Sequence, residues 1–274
     1  MIKTRDIYIF IFRITRYVGW SIAPLVFLTG LYYSKAGLAS ISSLELVLLS
    51  FPYAILLFGI NDIYDHQSDL LNPRKSNIPI GGEEKRLIVV ISGVTAVLMI
   101  LASALTLNIE NIIITSVLLL TSYKYSSGQY RLKEIPVIDS ISNGLIFLLV
   151  FALGYSFGDT VFNIPLKIYF VALCVAAIHA FGTVVDYEVD KKVGHNTFCV
   201  FVGKRFTLLF IFSAFLSAYY FAEIGRNFIN YYFVFCVFLT VIVFIKPVHR
   251  IAYNCFKLLF AGFIVTSLIF LFTY

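Results

Sequence analysis

Leu87-Ile88-Val89-Val90-Ile91-Ser92-Gly93-Val94-Thr95-Ala96-Val97-Leu98-Met99-Ile100-Leu101-Ala102-Ser103-Ala104-Leu105 carries no charged residue. As a helix it reaches across the ~30 Å hydrocarbon core of a bilayer. Its β-branched residues favour strands in water, but lipid offers the backbone no hydrogen-bond partner, so an apolar run of this length is helical. Similar segments lie near 14–33, 42–60, 110–124, 136–156, 165–184, 204–222, 229–247 and 254–273, which together predict nine transmembrane helices. None of them shows the sustained alternation of a membrane barrel strand. The chain is 60% hydrophobic and only 13% charged, which would demand an implausibly large interior from a soluble protein of 274 residues.

Charge orients the predicted spans. All of the 21 Lys and Arg residues except Lys35, Lys167 and Arg226 fall at the N-terminus or around the connections after spans two, four, six and eight. The positive-inside rule then puts the N-terminus and those connections in the cytoplasm and the C-terminus outside a cell membrane. The net charge of +6 is read as topology and phosphate affinity. With no separate basic soluble domain, nucleic-acid binding is not expected. Arg13 and Arg16 interrupt what would be the apolar core of a signal peptide, so residues 1–13 read as an interfacial segment. The whole chain, 1–274, reads as one transmembrane domain. Cys174, Cys199, Cys236 and Cys255 are scattered without metal-ligand spacing and read as unpaired apolar residues.

Two polar stretches interrupt this apolar background. Asn61-Asp62-Ile63-Tyr64-Asp65-His66-Gln67-Ser68-Asp69 follows span two and runs on through Asn72-Pro73-Arg74-Lys75. Asp186-Tyr187-Glu188-Val189-Asp190-Lys191-Lys192 follows span six. At about 100° per residue, Asp62, Asp65 and Asp69 share roughly a 60° arc of a helix, and Asp186 and Asp190 differ by about 40°. Carboxylates gathered on one face repel one another unless a cation joins them, and hard divalent ions with oxygen ligands suit them. A pure cation site has little use for the adjacent Arg74, Lys75, Lys191 and Lys192, whereas a magnesium–diphosphate complex uses both charges. Tyr125, Arg131 and Lys133, after span four, are assigned by charge to the same cytoplasmic rim.

The pattern Asn61-Asp62-x-x-Asp65-x-x-x-Asp69 with Asp186-x-x-x-Asp190 resembles the UbiA superfamily of intramembrane prenyltransferases. Asn72-Pro73-Arg74-Lys75, Tyr125-Ser126, Arg131-Leu132-Lys133, Gly194 and Thr197 support the resemblance. It implies an all-α membrane bundle of nine helices with its active-site rim in the cytoplasm. It also implies transfer of a prenyl group from an isoprenyl diphosphate to a lipophilic acceptor, with release of diphosphate. By this resemblance Asn61, Asp62, Asp65, Asp69, Asp186 and Asp190 hold Mg²⁺, with Asp62, Asp65, Asp186 and Asp190 central to catalysis. Arg74, Lys75, Tyr125, Arg131, Lys133 and Lys191 are the candidate diphosphate contacts.

The acceptor stays open between an aromatic quinone precursor or related lipid, placed first, and a carotenoid. Ser76-Asn77-Ile78-Pro79 lacks the arginine that often precedes this proline in quinone-pathway relatives. Asn61 through Lys75, and His179, are similar to members that elongate carotenoids, although His179 equally fits a polar packing role. An ion-coupled transporter is the non-enzyme alternative, but its charges belong near the bilayer midplane and these lie at helix ends. Membrane lipids are the expected surroundings, and nothing in the sequence points to an obligate protein partner.

Overall fold

A computed structural model describes residues 10–12, 14–16, 19–69, 80–222 and 227–272, the side chains of 67–69, 227, 271 and 272 excepted. The described residues are helical apart from short turns and connections. In chain order the α-helices are α1 Gly19–Tyr33, α2 Ser40–Leu49, α3 Phe51–Ala54, α4 Ile60–Asp69, α5 Gly82–Leu105 and α6 Ile109–Ser126. They continue as α7 Ile138–Tyr155, α8 Leu166–Val193, α9 Phe198–Val202, α10 Lys204–Phe221, α11 Asn227–Ile245 and α12 His249–Phe272. A π-helical turn, Ile55–Gly59, joins α3 to α4.

A helix occupies each of the predicted apolar segments. Among the described residues, six helical stretches are long and apolar enough to cross a membrane: Ser40–His66, Gly82–Leu105, Ile138–Tyr155, Leu166–Val193, Phe228–Ile245 and His249–Phe270. This is a multi-pass membrane protein. Helix α1 has only 15 residues, and α6 and α10 carry charged groups in their end turns.

The chain divides into two compact units. The first contains residues up to Arg131 and Leu149–Asn163; the second contains Leu132–Leu148 and Ile164–Tyr274. In the first, α5 packs against α2, the π turn and α6, while α4 packs against α5 and α6. Its surface is that of a lipid-embedded helix pack: α5 buries Ser92, Thr95 and Ser103 and exposes Val94, Val97 and Leu101. Helix α1 meets the last turns of α7 backbone to backbone. A side chain on Gly30 would strike the Phe151 carbonyl, and one on Gly154 would strike that of Phe27, so both positions demand glycine.

In the second unit α8 packs against α10, α10 against α11, α11 against α12, and α12 returns to α8. Phe181 and Phe215 are fully buried within it. Helix α8 ends at Gly194, whose φ of 86° is left-handed, and the Gly194 and His195 amides both donate to the Asp190 carbonyl, at 3.0 and 2.9 Å. The second acidic stretch therefore occupies the final turns of a helix with a fixed stop. The four cysteines are all buried and unpaired, as the sequence suggests.

Candidate functional site

The first acidic stretch lies wholly on α4, after the π turn has closed, so the helical phase of its carboxylates is regular. Single π turns often mark functional positions because they rotate the following turns relative to those before. The Asp62 Oδ1 atom accepts from Arg16 Nη2 at 3.0 Å, and the Arg16 guanidinium also lies 4.9 Å from the Phe58 ring centre. Asp65 is buried, and its Oδ1 accepts from Arg131 Nη1 at 3.2 Å. The same guanidinium nitrogen stands 3.5 Å from the Tyr64 carbonyl oxygen. Asn61 Oδ1 accepts from Ser126 Oγ at 3.1 Å, tying the last turn of α6 to the first turn of α4.

One face of α4 thus carries acidic oxygens already bonded to arginines, and taking such carboxylates out of water would be costly without those partners. Asp69 ends α4, with its side chain outside the described residues, as are Arg74 and Lys75 entirely. The interfacial segment 1–13 likewise falls outside them except for residues 10–12. Tyr125 is half-buried in the last turn of α6.

The second unit builds its acidic helix end differently. Asp186 and Asp190 are half-buried on one face of α8, and Asp190 Oδ2 accepts from Thr197 Oγ1 at 3.2 Å. Two further carboxylates, neither singled out by sequence, hold the connection that follows. Asp139 is fully buried and accepts the Phe198 amide at 2.8 Å and the Ser140 amide at 2.7 Å. Glu134 Oε1 meets His195 Nδ1 at 3.0 Å. The segment from Gly194 to Phe198 is thereby pinned at both ends, which positions Thr197 against Asp190.

Lys133 is half-buried in the short 3₁₀ turn Leu132–Glu134. Lys191 is exposed, with its ammonium 5.8 Å from the Tyr187 ring centre, and Lys204 lies over the same ring at 4.5 Å while bonding Glu188 Oε1 at 2.8 Å. Helix geometry turns Lys191 about 100° away from Asp190.

The donor set suits magnesium: it consists of hard carboxylate and amide oxygens beside positive charge. Among the described residues no three His, Cys, Asp or Glu side chains are gathered closely enough to cage a metal. Magnesium held by one or two carboxylates, waters and substrate phosphates needs no such cage.

Arg16 is the functional candidate that sequence reading missed. In the sequence it counted toward the charge asymmetry and against a signal peptide, and nothing there pointed to Asp62, 46 residues away, which it bonds. Asp139 gave no signal at all, because a single acidic residue opening an apolar helix reads as an ordinary end.

These features define an α-helical membrane protein with acidic helix ends reinforced by cations. Residues 23–263 match the UbiA prenyltransferase family, and the chain belongs to it. Among curated proteins it is 29% identical over 217 residues to "Lycopene elongase/hydratase" of Haloarcula japonica, covering 76% of this chain and 72% of that one. It is 25% identical over 213 residues to the "C(50) beta-cyclic carotenoids biosynthesis protein LbtBC" of Dietzia sp. (strain CQ4). That match covers 76% of this chain but only 49% of LbtBC, so the chain spans about half the length of that relative. Among solved structures, a UbiA homolog from Archaeoglobus fulgidus bound to DMAPP and Mg²⁺ shares the fold with a TM-score of 0.64 and 23% identity. The superposition covers 92% of this chain and 98% of that one.

Proposed function

We propose that the protein transfers a prenyl group from an isoprenyl diphosphate to a long polyene acceptor of the carotenoid class, releasing diphosphate. The observation that carries the chemistry is the α4 face on which Asp62 and Asp65 each bond an arginine. Anionic donors and cationic groups side by side fit a ligand that is itself a metal–anion complex. The acceptor class is supported by the carotenoid names of the curated relatives. It takes precedence over the aromatic acceptor, which no observation here favours.

In this reading Asn61, Asp62, Asp65 and Asp69, together with Asp186 and Asp190, are the residues that would hold Mg²⁺ for the diphosphate. Bound there, the metal would supply the positive charge that offsets the charge gathering on diphosphate as it leaves. Arg131, Arg16 and Lys133 add fixed positive charge, with Tyr125, Arg74, Lys75 and Lys191 as further contacts. Arg131 and Arg16 orient Asp65 and Asp62 through their hydrogen bonds. Thr197 fixes the rotamer of Asp190, and Asp139 keeps Thr197 in place. The apolar interior excludes water from the allylic cation, which would otherwise hydrolyse.

The N-terminus is assigned to the cytoplasm and the C-terminus to the outside of a cell membrane, on the distribution of Lys and Arg. Nine crossings and residues 1–274 as a single domain complete the proposal, with no nucleic-acid partner.

The test is to incubate the purified protein with Mg²⁺, labelled isoprenyl diphosphates and separate phenolic, quinone-precursor and carotenoid acceptors. A carotenoid heavier by one prenyl unit is the expected product. Transfer to the phenolic acceptors alone would overturn the acceptor class, and metal-dependent transfer to none would overturn the enzyme reading.

A further inference from the structure

Between Ala176 and Val185, ten residues near the middle and end of α8, every position is buried except His179 and Gly182. Val175, Asp186 and Asp190 are half-buried too, and at about 100° per residue these five positions fall within roughly an 80° arc. One accessible stripe therefore runs along a helix otherwise enclosed by protein. It begins at the acidic end and passes His179 two turns deeper, about 10 Å along the axis. The stripe is narrow at Gly182, where an added side chain would meet only the Phe256 ring, at 3.7 Å. Phe256 stacks with Phe181 and with Phe260, at centroid separations of 6.2 and 6.3 Å.

The path from Asp186 to His179 is thus lined by a hydrogen-only position and an aromatic ring, a surrounding that accommodates a delocalised carbocation. His179 is the one titratable group on this stripe below the acidic pair. Its Nδ1 lies 3.2 Å from Ser140 Oγ, and Ser140 opens α7 beside the buried Asp139. A ring whose Nδ1–H donates to that hydroxyl carries its basic lone pair on Nε2.

We propose that His179 is the proton acceptor of the transfer reaction, an inference that rests on the polyene-acceptor reading above. The chemistry requires such a group. When the allylic C–O bond breaks, its electron pair leaves on diphosphate. A π pair of the acceptor then forms the new C–C bond, leaving positive charge on an acceptor carbon. That charge is discharged when an adjacent C–H bond breaks: its electron pair becomes a new C=C bond, and the proton moves to Nε2 of His179. Water capture is the competing fate and gives an alcohol. A base fixed two turns below the diphosphate directs the outcome toward the alkene, while the carboxylates remain committed at the acidic end.

The test compares wild type with His179→Gln and Ser140→Ala, using dimethylallyl diphosphate, Mg²⁺ and lycopene. Glutamine keeps a hydrogen-bonding partner for Ser140 but is not basic, and thermal unfolding of each purified variant reports its folding. Single-turnover diphosphate release in His179→Gln should stay within about threefold of wild type, because breaking the C–O bond does not use this ring. Formation of the prenylated alkene should fall by about 100-fold or more, the usual worth of a positioned base, with the hydrated product rising in its place. Ser140→Ala, which leaves the base but loosens it, should give a smaller change in the same direction.

An unchanged alkene-to-alcohol ratio and rate in folded His179→Gln would overturn the role of His179. Equal loss of diphosphate release and of product in that variant would also overturn it, placing the ring with the donor. Failure of wild type to prenylate lycopene or any other polyene, with transfer to a phenol intact, would overturn the acceptor reading and this inference together.

Discussion

Arg131 Nη1 lies 3.2 Å from Asp65 Oδ1, so a cation expected to meet diphosphate instead rests on a carboxylate expected to meet metal. Both groups are largely shielded, the arginine side chain 16% and the aspartate 9% exposed. The ion pair balances the two charges. A magnesium–diphosphate ligand offers the carboxylate a metal and the guanidinium a phosphate, exchanging one well-satisfied pair for two.

This exchange predicts an asymmetry between the two partners. Arg131→Ala should raise the KM for isoprenyl diphosphate by about tenfold to 100-fold, the range for losing a hydrogen bond to a charged group. It should also lower the unfolding temperature, since Asp65 is left buried without this partner. Arg131→Lys should restore stability more than KM, because lysine replaces the charge but not the planar fork. Steady-state kinetics beside thermal unfolding distinguishes the outcomes, and an unchanged KM in Arg131→Ala removes Arg131 from the diphosphate site.

Arg16 should behave differently. Its side chain is 47% exposed, so its pairing with Asp62 contributes little to stability, less than about 1 kcal/mol. Arg16→Ala is expected to leave the unfolding temperature nearly unchanged and to raise the magnesium–diphosphate KM severalfold. A large loss of stability with normal kinetics would make Arg16 a structural residue.

Asp139 is expected to be a positioning residue. Asp139→Ala leaves the Phe198 amide without its carboxylate acceptor, at a cost of about 1–3 kcal/mol, and leaves the Ser140 amide only the Val137 carbonyl. Asp139→Asn retains one carboxyl-type acceptor and should recover part of both stability and activity. Thr197→Val, which removes only the bond to Asp190, should reduce kcat by about tenfold with little change in unfolding temperature. Equal activity in Thr197→Val and wild type would show that Asp190 needs no such orientation.

Cys199 is fully buried, and burial pushes its thiol up to about 12. At pH 8 it is therefore protonated and enclosed, and iodoacetamide should label it only after denaturation. Rapid labelling of Cys199 in the active protein, read by peptide mass, would show that the α8–α9 connection opens.

Much of this was legible in the chain. Leu87–Leu105 reads as a membrane helix because nineteen uncharged residues leave the backbone no other way to satisfy itself in lipid. The one-sided carboxylates of α4 and α8 were legible because both stretches are regular α-helix, where spacing converts directly into angle. The π turn at Ile55–Gly59 was not: an extra residue per turn changes no composition and leaves no periodic trace.

Pairings between distant residues were equally hidden. Arg16 with Asp62 and Asp139 with Phe198 arise from packing of segments far apart in sequence, and Arg16 and Asp139 alone look like ordinary charged residues near helix ends. His179 was ambiguous for a related reason. Its chemistry depends on an accessible stripe defined by the burial of its neighbours, which sequence spacing cannot report.

The proposed function requires that both acidic helix ends serve one metal–diphosphate ligand. The direct measurement is Mg²⁺-dependent diphosphate release from dimethylallyl diphosphate in the presence of lycopene by wild type, Asp62→Asn, Asp190→Asn and the double variant. Parts of one catalytic unit are non-additive, so each single change should lower the rate by about 100-fold or more and the double variant should be scarcely worse than either. Two folded single variants with wild-type rates, or losses that multiply in full in the double variant, would contradict it.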